Sequence, residues 1–243
     1  MANLVAVDNK NHRKVQIDTS KLALHGAELN MVPVVLSEFA NAAVQYPLAL
    51  AKNGDTGEFV CIALLGFEAG ENLFWQNGEW QGLYLPLQIR RQPFFVGNPR
   101  KDNKAAKENG DKIVCIDSKS PAITTEGGMA LFDERGLDTE FFQQTKACLA
   151  HILAGEADNK SLIENLVKMD LLQSMSLEIT LTNQASMRLN GLYTVNQDKL
   201  AKLNDEYVLQ LHKLGFLGAI HTLVISLGQI QALIDLKNQR LVV

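Results

Sequence analysis

Apolar positions along the chain change their spacing part-way, and that change predicts the architecture. In the first half they form short unbroken runs. Phe59 to Phe67 is apolar at almost every position and is bounded by Asn53-Gly54-Asp55-Thr56-Gly57 and by Gly70, the pattern of a strand covered on both faces. Leu73-Phe74-Trp75 and Trp80-Gln81-Gly82-Leu83-Tyr84 flank Gln76-Asn77-Gly78-Glu79. Asn-Gly between aromatic runs predicts a tight hairpin, because a type I′ turn needs positive φ at both central residues. Leu83 to Val96 reads as a further extended segment, with Pro86 and Pro93 at an edge or strand end because neither can donate to a ladder. Lys112 to Asp117 predicts one more short strand.

In the second half the spacing becomes helical. Phe141, Phe142, Thr145, Cys148, Leu149, Ile152 and Leu153 share one face of a helix capped by Asp138 and stopped by Gly155. Ser161 and Glu164 form a capping-box pattern that opens a second helix through Leu172, expected to run antiparallel to the first. Ser176 to Thr182 alternates strictly, and Met187 to Val195 alternates again, predicting a second, small sheet element. Asn196 and Asn204 each precede acidic residues, as helix N-termini prefer. Gly215 suits a C-cap before an apolar helix from Phe216 to about Leu236.

The stretch Leu214 to Ile234 has no Lys, Arg, Asp or Glu and is long enough to cross a bilayer. It also holds His221, Thr222, Ser226, Gln229 and Gln231, which hydrocarbon would leave without partners. The expectation is therefore no membrane span but a helix covered on most sides, with His221 as a satisfied core histidine. Strands followed by helices with a short strand pair among them predict an α+β fold: a strand-rich, mainly antiparallel N-terminal half (about 1–125) packed with a helical C-terminal half (about 126–243), all in a single domain 1–243. Residues 98–111 carry mixed charge and no apolar side chain larger than Ala or Pro, so a mobile, solvated loop is expected there.

Composition narrows the function. The 243 residues are 47% hydrophobic and 21% charged, ordinary globular usage, with a net charge of −4 that would repel a nucleic-acid backbone. Cys61, Cys115 and Cys148 are too few and too widely spaced for a disulfide framework or a zinc site, and each lies among apolar neighbours, which predicts reduced core thiols. Met1-Ala2-Asn3-Leu4-Val5-Ala6-Val7-Asp8 has no basic start and no long apolar core, so cytoplasmic location is the default.

No phosphate-binding loop, dinucleotide fingerprint, His-Glu-x-x-His or Gly-x-Ser-x-Gly occurs. No metal and no cofactor are expected. His25 and Glu28, three apart, could share a metal on a helix, but Gly26 weakens that helix and no third ligand is apparent. Glu38, Glu71 and Glu79 are acids beside apolar runs, where an apolar wall would fit a carboxyl for proton chemistry. The densest polar-aromatic group is Trp75, Trp80, Tyr84, Arg90 and Arg91. In an extended strand the paired arginines face opposite sides, so one is held near the core, and it requires either an internal carboxylate or an anionic ligand in an aromatic-lined pocket.

The segments Pro33 to Leu48 and Tyr84 to Phe94, with Gly191-Leu192-Tyr193, Leu200, Leu203 and Leu214 to Leu233, together resemble the SapC-like proteins of bacteria; Gln92 stands where the family often has tyrosine. The resemblance implies a surface-layer connection by name, and relatives associated with flavin-dependent tryptophan halogenases, cupin-like hydroxylases and TonB-dependent uptake in Gram-negative bacteria. It brings no catalytic residue set. The resulting expectation is a soluble, non-catalytic accessory or small-ligand-binding protein, with an anionic or aromatic ligand at Arg90, Arg91, Trp75, Trp80 and Tyr84. The alternatives are a surface-layer component, or a small enzyme or partner protein of such systems. A protein partner is compatible with all of these, and oligomeric state is not legible.

Overall fold

The computed structural model describes residues 3–98 and 112–241. The fold is α+β: 38% helical and 25% strand, with sheets concentrated in the N-terminal half and helices at the C-terminus. Every strand pairing among the described residues is antiparallel. The chain divides into two compact units, Met1–His25 with Leu87–Leu153, and Gly26–Pro86 with Ala154–Val243.

The first unit holds two three-stranded sheets. Strands β1 (Leu4–Ala6), β8 (Phe94–Gly97) and β9 (Ile113–Asp117) pair in the order β1-β9-β8. Strands β2 (Gln16–Ile17), β10 (Ile123–Thr124) and β11 (Met129–Ala130) pair in the order β10-β2-β11. Ile17, Phe94, Ile116, Leu131, Phe132 and Phe142 form its core, with Phe142 near the rings of Phe94 (5.9 Å) and Phe132 (5.4 Å). Each large aromatic buried there contributes roughly 1.5–3 kcal/mol by leaving water.

The second unit is built on five strands in the order β12-β13-β4-β5-β3. These are β3 (Met31–Pro33), β4 (Leu48–Lys52), β5 (Phe59–Leu64), β12 (Leu172–Thr180) and β13 (Ser186–Val195). The continuous apolar run in β5 corresponds to a strand whose Cys61 to Leu64 are buried on both sides. The alternating runs expected at 176–182 and 187–195 are not a separate sheet element. Leu192 and Tyr193 continue the ladder onto Ala51 and Leu50, so the hairpin extends the β4-β5 sheet, with a register shift between Met175 and Leu177. The aromatic hairpin forms as its Asn-Gly requires: β6 (Trp75–Gln76) and β7 (Glu79–Trp80) join through Asn77 at φ 52° and Gly78 at φ 81°.

Helices follow the sequence with three corrections. The segment 83–96 is not extended throughout. After Pro86 the chain takes one helical turn, α2 (Leu87–Arg90), as it earlier does at α1 (Phe39–Ala42). Proline's fixed φ suits a helix start, so Arg90 and Arg91 lie about 100° apart around a turn rather than on opposite strand faces.

The two helices expected at 138–155 and 161–172 are one 29-residue helix, α3 (Glu140–Lys168). Thr139 rather than Asp138 caps it, its Oγ1 accepting from the Phe142 N–H (3.3 Å). Gly155 does not stop it: the residue is buried, and a Cβ placed there would lie 2.5 Å from the Cβ of Val35. The glycine allows close approach of another segment, not a left-handed turn. Asn159 shows why the helix continues in that place. Its Nδ2 donates to the Val34 carbonyl and its Oδ1 accepts from the Leu36 N–H, both at 2.7 Å.

Asn196 and Asn204 do cap helices, α4 (Gln197–Ala201) and α5 (Asp205–Lys213), accepting from the Lys199 and Tyr207 N–H groups. Gly215 adopts φ 75° before α6 (Phe216–Ser226). The apolar C-terminal segment then breaks at Leu227-Gly228, and α7 (Gln229–Leu241) follows. Nor is it covered on most sides. Phe216, Ile220, Leu223 and Ser226 face the sheet, where α6 lies against β4 and β13 and Ser226 Oγ accepts from the Leu48 N–H (2.9 Å). His221 is exposed, not a core histidine, and Ile225 is 75% exposed. Apart from Asn98, the polar segment expected at 98–111 lies outside the described residues.

Candidate functional site

The first unit contains a cavity of about 600 Å³, bounded by strands β1, β9 and β8, by helix α3 and by the 132–138 loop. The strands are held in place by regular pairing that continues past β1, where the Val7 N–H donates to the Val114 carbonyl (2.9 Å). On α3 the lining positions are Phe142, Lys146, Leu149, Ala150 and Leu153, one helical face at three- and four-residue spacing. The loop is fixed by Asp133, whose Oδ1 accepts from the Arg135 and Leu137 N–H groups; these bonds hold its carboxyl below the usual range. Gly136, at φ 81°, completes that turn and presents its carbonyl to Asn9 Nδ2 (3.1 Å).

The cavity has an apolar floor and a charged rim. Val7, Val96, Val114, Phe132 and Leu149 supply the floor. At the rim, Lys146 Nζ pairs with Asp138 and sits 4.5 Å from the centre of the Phe142 ring. Asp8 is engaged locally: the N–H of Asn11, its side-chain amide and the N–H of Lys10 all donate to the carboxylate and lower its pKa. Lys112 donates to Asn98 Oδ1 (2.8 Å), and among the described residues it pairs with no carboxylate. Among the described residues the rim thus holds Lys112 without a carboxylate partner and the Asp8 carboxylate bonded to amide groups, with His12 at 3.8 Å.

The five residues expected to form a site fall in both units. Arg90 and Arg91 belong to the first. Arg90 is exposed. Arg91 directs Nε to Gln88 Oε1 (2.7 Å) and Nη1 to the Phe94 carbonyl, with its guanidinium 4.3 Å from the centre of the Phe95 ring. Arg91 and Asp117 also act on His25, whose Nε2 lies 3.0 Å from Ser120 Oγ. Burial lowers the His25 pKa, Asp117 opposes that, and Arg91 adds to it.

Trp75, Trp80 and Tyr84 belong to the second unit. Trp80 lies directly across the hairpin from Trp75, stacks on Phe74 (6.4 Å) and meets Tyr46 edge-on (6.5 Å). The Tyr46 hydroxyl donates to the Tyr84 carbonyl, and burial raises its pKa. Tyr84 Oη donates to Glu38 Oε2 (2.9 Å), and Glu38 Oε1 accepts from the Val35 N–H (2.9 Å). Glu38, only 2% exposed, thus ties the strand-to-helix corner to the aromatic segment. Of the other acids singled out, Glu79 is exposed and Glu71 accepts from the buried ammonium of Lys237. Among the described residues no three of His, Cys, Asp and Glu converge as a metal centre would require. All three cysteines are free thiols, and burial pushes Cys61 up to about 12.

The SapC family model matches residues 7–233 of the 243-residue chain. The chain belongs to the SapC family. No curated protein and no solved structure matches it. Sequence reading of this SapC-family protein missed the cavity, although one signal was present: Lys146 stands one turn after Phe142 beside an otherwise apolar face. The strand side of the cavity had no comparable signal, because Val7, Val96 and Val114 are distant in sequence and become neighbours only through pairing.

Proposed function

We propose that this SapC-family protein is a non-catalytic binding protein whose first unit takes a small amphiphile, with an alkyl or aryl body on the apolar floor and an anionic head at the lysine rim. The observation that carries this reading is the cavity itself. Its volume of about 600 Å³ lies within the roughly 300–1,000 Å³ of small-molecule sites. Its lining, apolar with a few convergent polar groups, is what such sites use to combine affinity with orientation. Lys112 is the head-group residue, because its ammonium has no carboxylate partner among the described residues. Arg91 is engaged with Gln88, the Phe94 carbonyl and the Phe95 ring and does not line the cavity. This activity belongs in the cytoplasm; recovery of the protein solely at the cell surface would favour a surface-layer component instead.

Thermal-shift measurement with alkyl and aryl carboxylates of increasing size tests the reading. A ligand at about 100 times its Kd adds roughly 2.7 kcal/mol, which raises Tm by about 5–10 °C for a chain of this size. Lys112→Glu should abolish the preference for carboxylates over the matching alcohols. Ala150→Trp, at an exposed position on the mouth, should abolish binding altogether. No shift across the series, or a shift that survives Ala150→Trp, rejects the site.

A further inference from the structure

The five-stranded sheet of the second unit ends on an open edge. Strand β12 closes the order β12-β13-β4-β5-β3, and among the described residues its backbone bonds only to β13. Gln173, Ser174, Ser176, Glu178 and Thr180 along it are exposed. An unpaired strand edge is a template for another chain, and proteins commonly guard it with lysine, proline or a bulge. This edge carries none of these. From Leu171 to Gln184 there is no Lys, Arg or Pro, and Glu178 is the only charged residue. The extra residue at the register shift lies on β13, where Asn190 and Gly191 oppose Ser176, so β12 itself runs uninterrupted. β13 in turn pairs with β4 only at Leu192 and Tyr193. From Leu177 to Thr180 the sheet is therefore two strands wide among the described residues, a width that is marginal alone.

Register and charge identify the occupant. The Leu181 N–H donates to the Ala185 carbonyl (2.9 Å). Stepping back along the ladder, Ile179 and Leu177 bond inward to β13, while Ser174, Ser176, Glu178 and Thr180 turn their N–H and C=O groups outward. An antiparallel second β12, placed about a two-fold axis at Leu177, matches those groups. Ser176 then opposes Glu178 and Ser174 opposes Thr180, each pair able to exchange two hydrogen bonds. On the other face Met175 meets Ile179 and Leu177 meets its own copy, so apolar positions face apolar ones and no like charges meet. Arg188 supplies the attraction. It stands across from Glu178 (3.8 Å) but also donates from Nε to Ser176 Oγ (2.8 Å), which carries its guanidinium over β12. In the two-fold register Ser176 lies opposite the second copy's Glu178, which gives two symmetric Arg188–Glu178 pairs between chains. We propose that this protein forms a two-fold dimer by antiparallel pairing of β12 with β12 of a second copy, joining the two sheets into one.

Sedimentation equilibrium of the full chain over about 1–100 μM tests this, because a single strand pair is a small interface of modest affinity. A concentration-dependent equilibrium between monomer and dimer is expected. Arg188→Glu and Glu178→Arg should each weaken self-association at least about tenfold, since either change turns both attractive pairs into repulsive ones. An equimolar mixture of the two variants should associate about as well as the parent, a recovery that no pair within one chain can produce. Ser176→Pro removes one outward N–H and leaves the inward ladder intact, so it should abolish the dimer while the circular-dichroism spectrum and Tm show that folding is retained. A monomer at every concentration, a mixture of the charge variants that stays monomeric, a dimer that survives Ser176→Pro in the folded chain, or a dimer that Ile225→Glu on the exposed side of α6 dissociates would each overturn the proposal.

Discussion

Replacing Gly155 by alanine is a direct test of how α3 is seated. In an exposed helix the change should help, since alanine is favoured over glycine by about 1 kcal/mol. Here the new methyl would lie 2.5 Å from Val35 Cβ and 2.9 and 3.0 Å from its two γ-carbons, whereas carbon atoms in good contact are about 3.5–4.0 Å apart. Helix and segment would have to separate by about 1 Å. Val35 cannot retreat freely: it is 2% exposed, its N–H is held by Glu38, and the residues on either side of it are bonded to Asn159 of the same helix. Overpacking of this kind costs about 1–3 kcal/mol, and stretching the two Asn159 bonds adds part of the roughly 1 kcal/mol each contributes. Net of the helix-propensity gain, Gly155→Ala should destabilise by about 1–3 kcal/mol.

Urea unfolding reads this as a lower midpoint at constant slope, and heating as a Tm lower by about 2–10 °C. The matched control is Gly218→Ala on α6, where a Cβ meets nothing within 4 Å; it should stabilise by about 0.5–1 kcal/mol. Adding Val35→Ala to Gly155→Ala should restore only part of the loss, because the Cβ–Cβ approach persists. A Gly155→Ala midpoint at or above that of the parent would refute the close approach to Val35.

Three further outcomes follow from buried polar groups. Asn159→Ala should cost about 2–3 kcal/mol in urea unfolding, because it leaves the Val34 carbonyl and the Leu36 N–H without their partner. Lys237 is 9% exposed and bonds both Glu68 (2.6 Å) and Glu71; burial acts to lower its pKa, and the two carboxylates more than offset this, so the net shift is upward. Its contribution is complete below pH 10.5 and is lost as pH rises beyond that, so Lys237→Met should destabilise by about 2 kcal/mol at pH 7 and by less above pH 11. Cys61, raised from 9.0 to about 12, stays protonated in the folded chain while the unfolded chain ionises. Stability should fall by up to about 1.4 kcal/mol per pH unit between 9 and 12, and Cys61→Ala should remove that slope; a slope unchanged in Cys61→Ala would show that the thiol is not buried.

Local chemistry in the sequence was enough to determine the pieces that depend on neighbours along the chain. Asn77-Gly78 specified its hairpin because two adjacent positive φ angles admit few other residues. Asn196 and Asn204 specified helix starts because a short side-chain acceptor reaches the N–H three residues on. The apolar run at 59–67 and the alternation at 176–182 and 187–195 likewise specified strands, since burial on two faces or one leaves a different period, although Leu172, read as the end of a helix, begins β12. What failed were inferences about partners distant in sequence. Gly155 carries the composition of a helix stop, and only Val35 pressed against it explains why the helix runs through. The arginine pair follows Pro86 into a turn, which leaves Arg90 exposed and brings Arg91 to the Gln88 side chain and the Phe94 carbonyl. The cavity draws on residues from Val7 to Leu153, and the bare side of α6 is visible only once the sheet has taken the other side. Periodicity records that a position is apolar; which apolar positions meet one another, and which stay exposed, is decided by packing between distant segments.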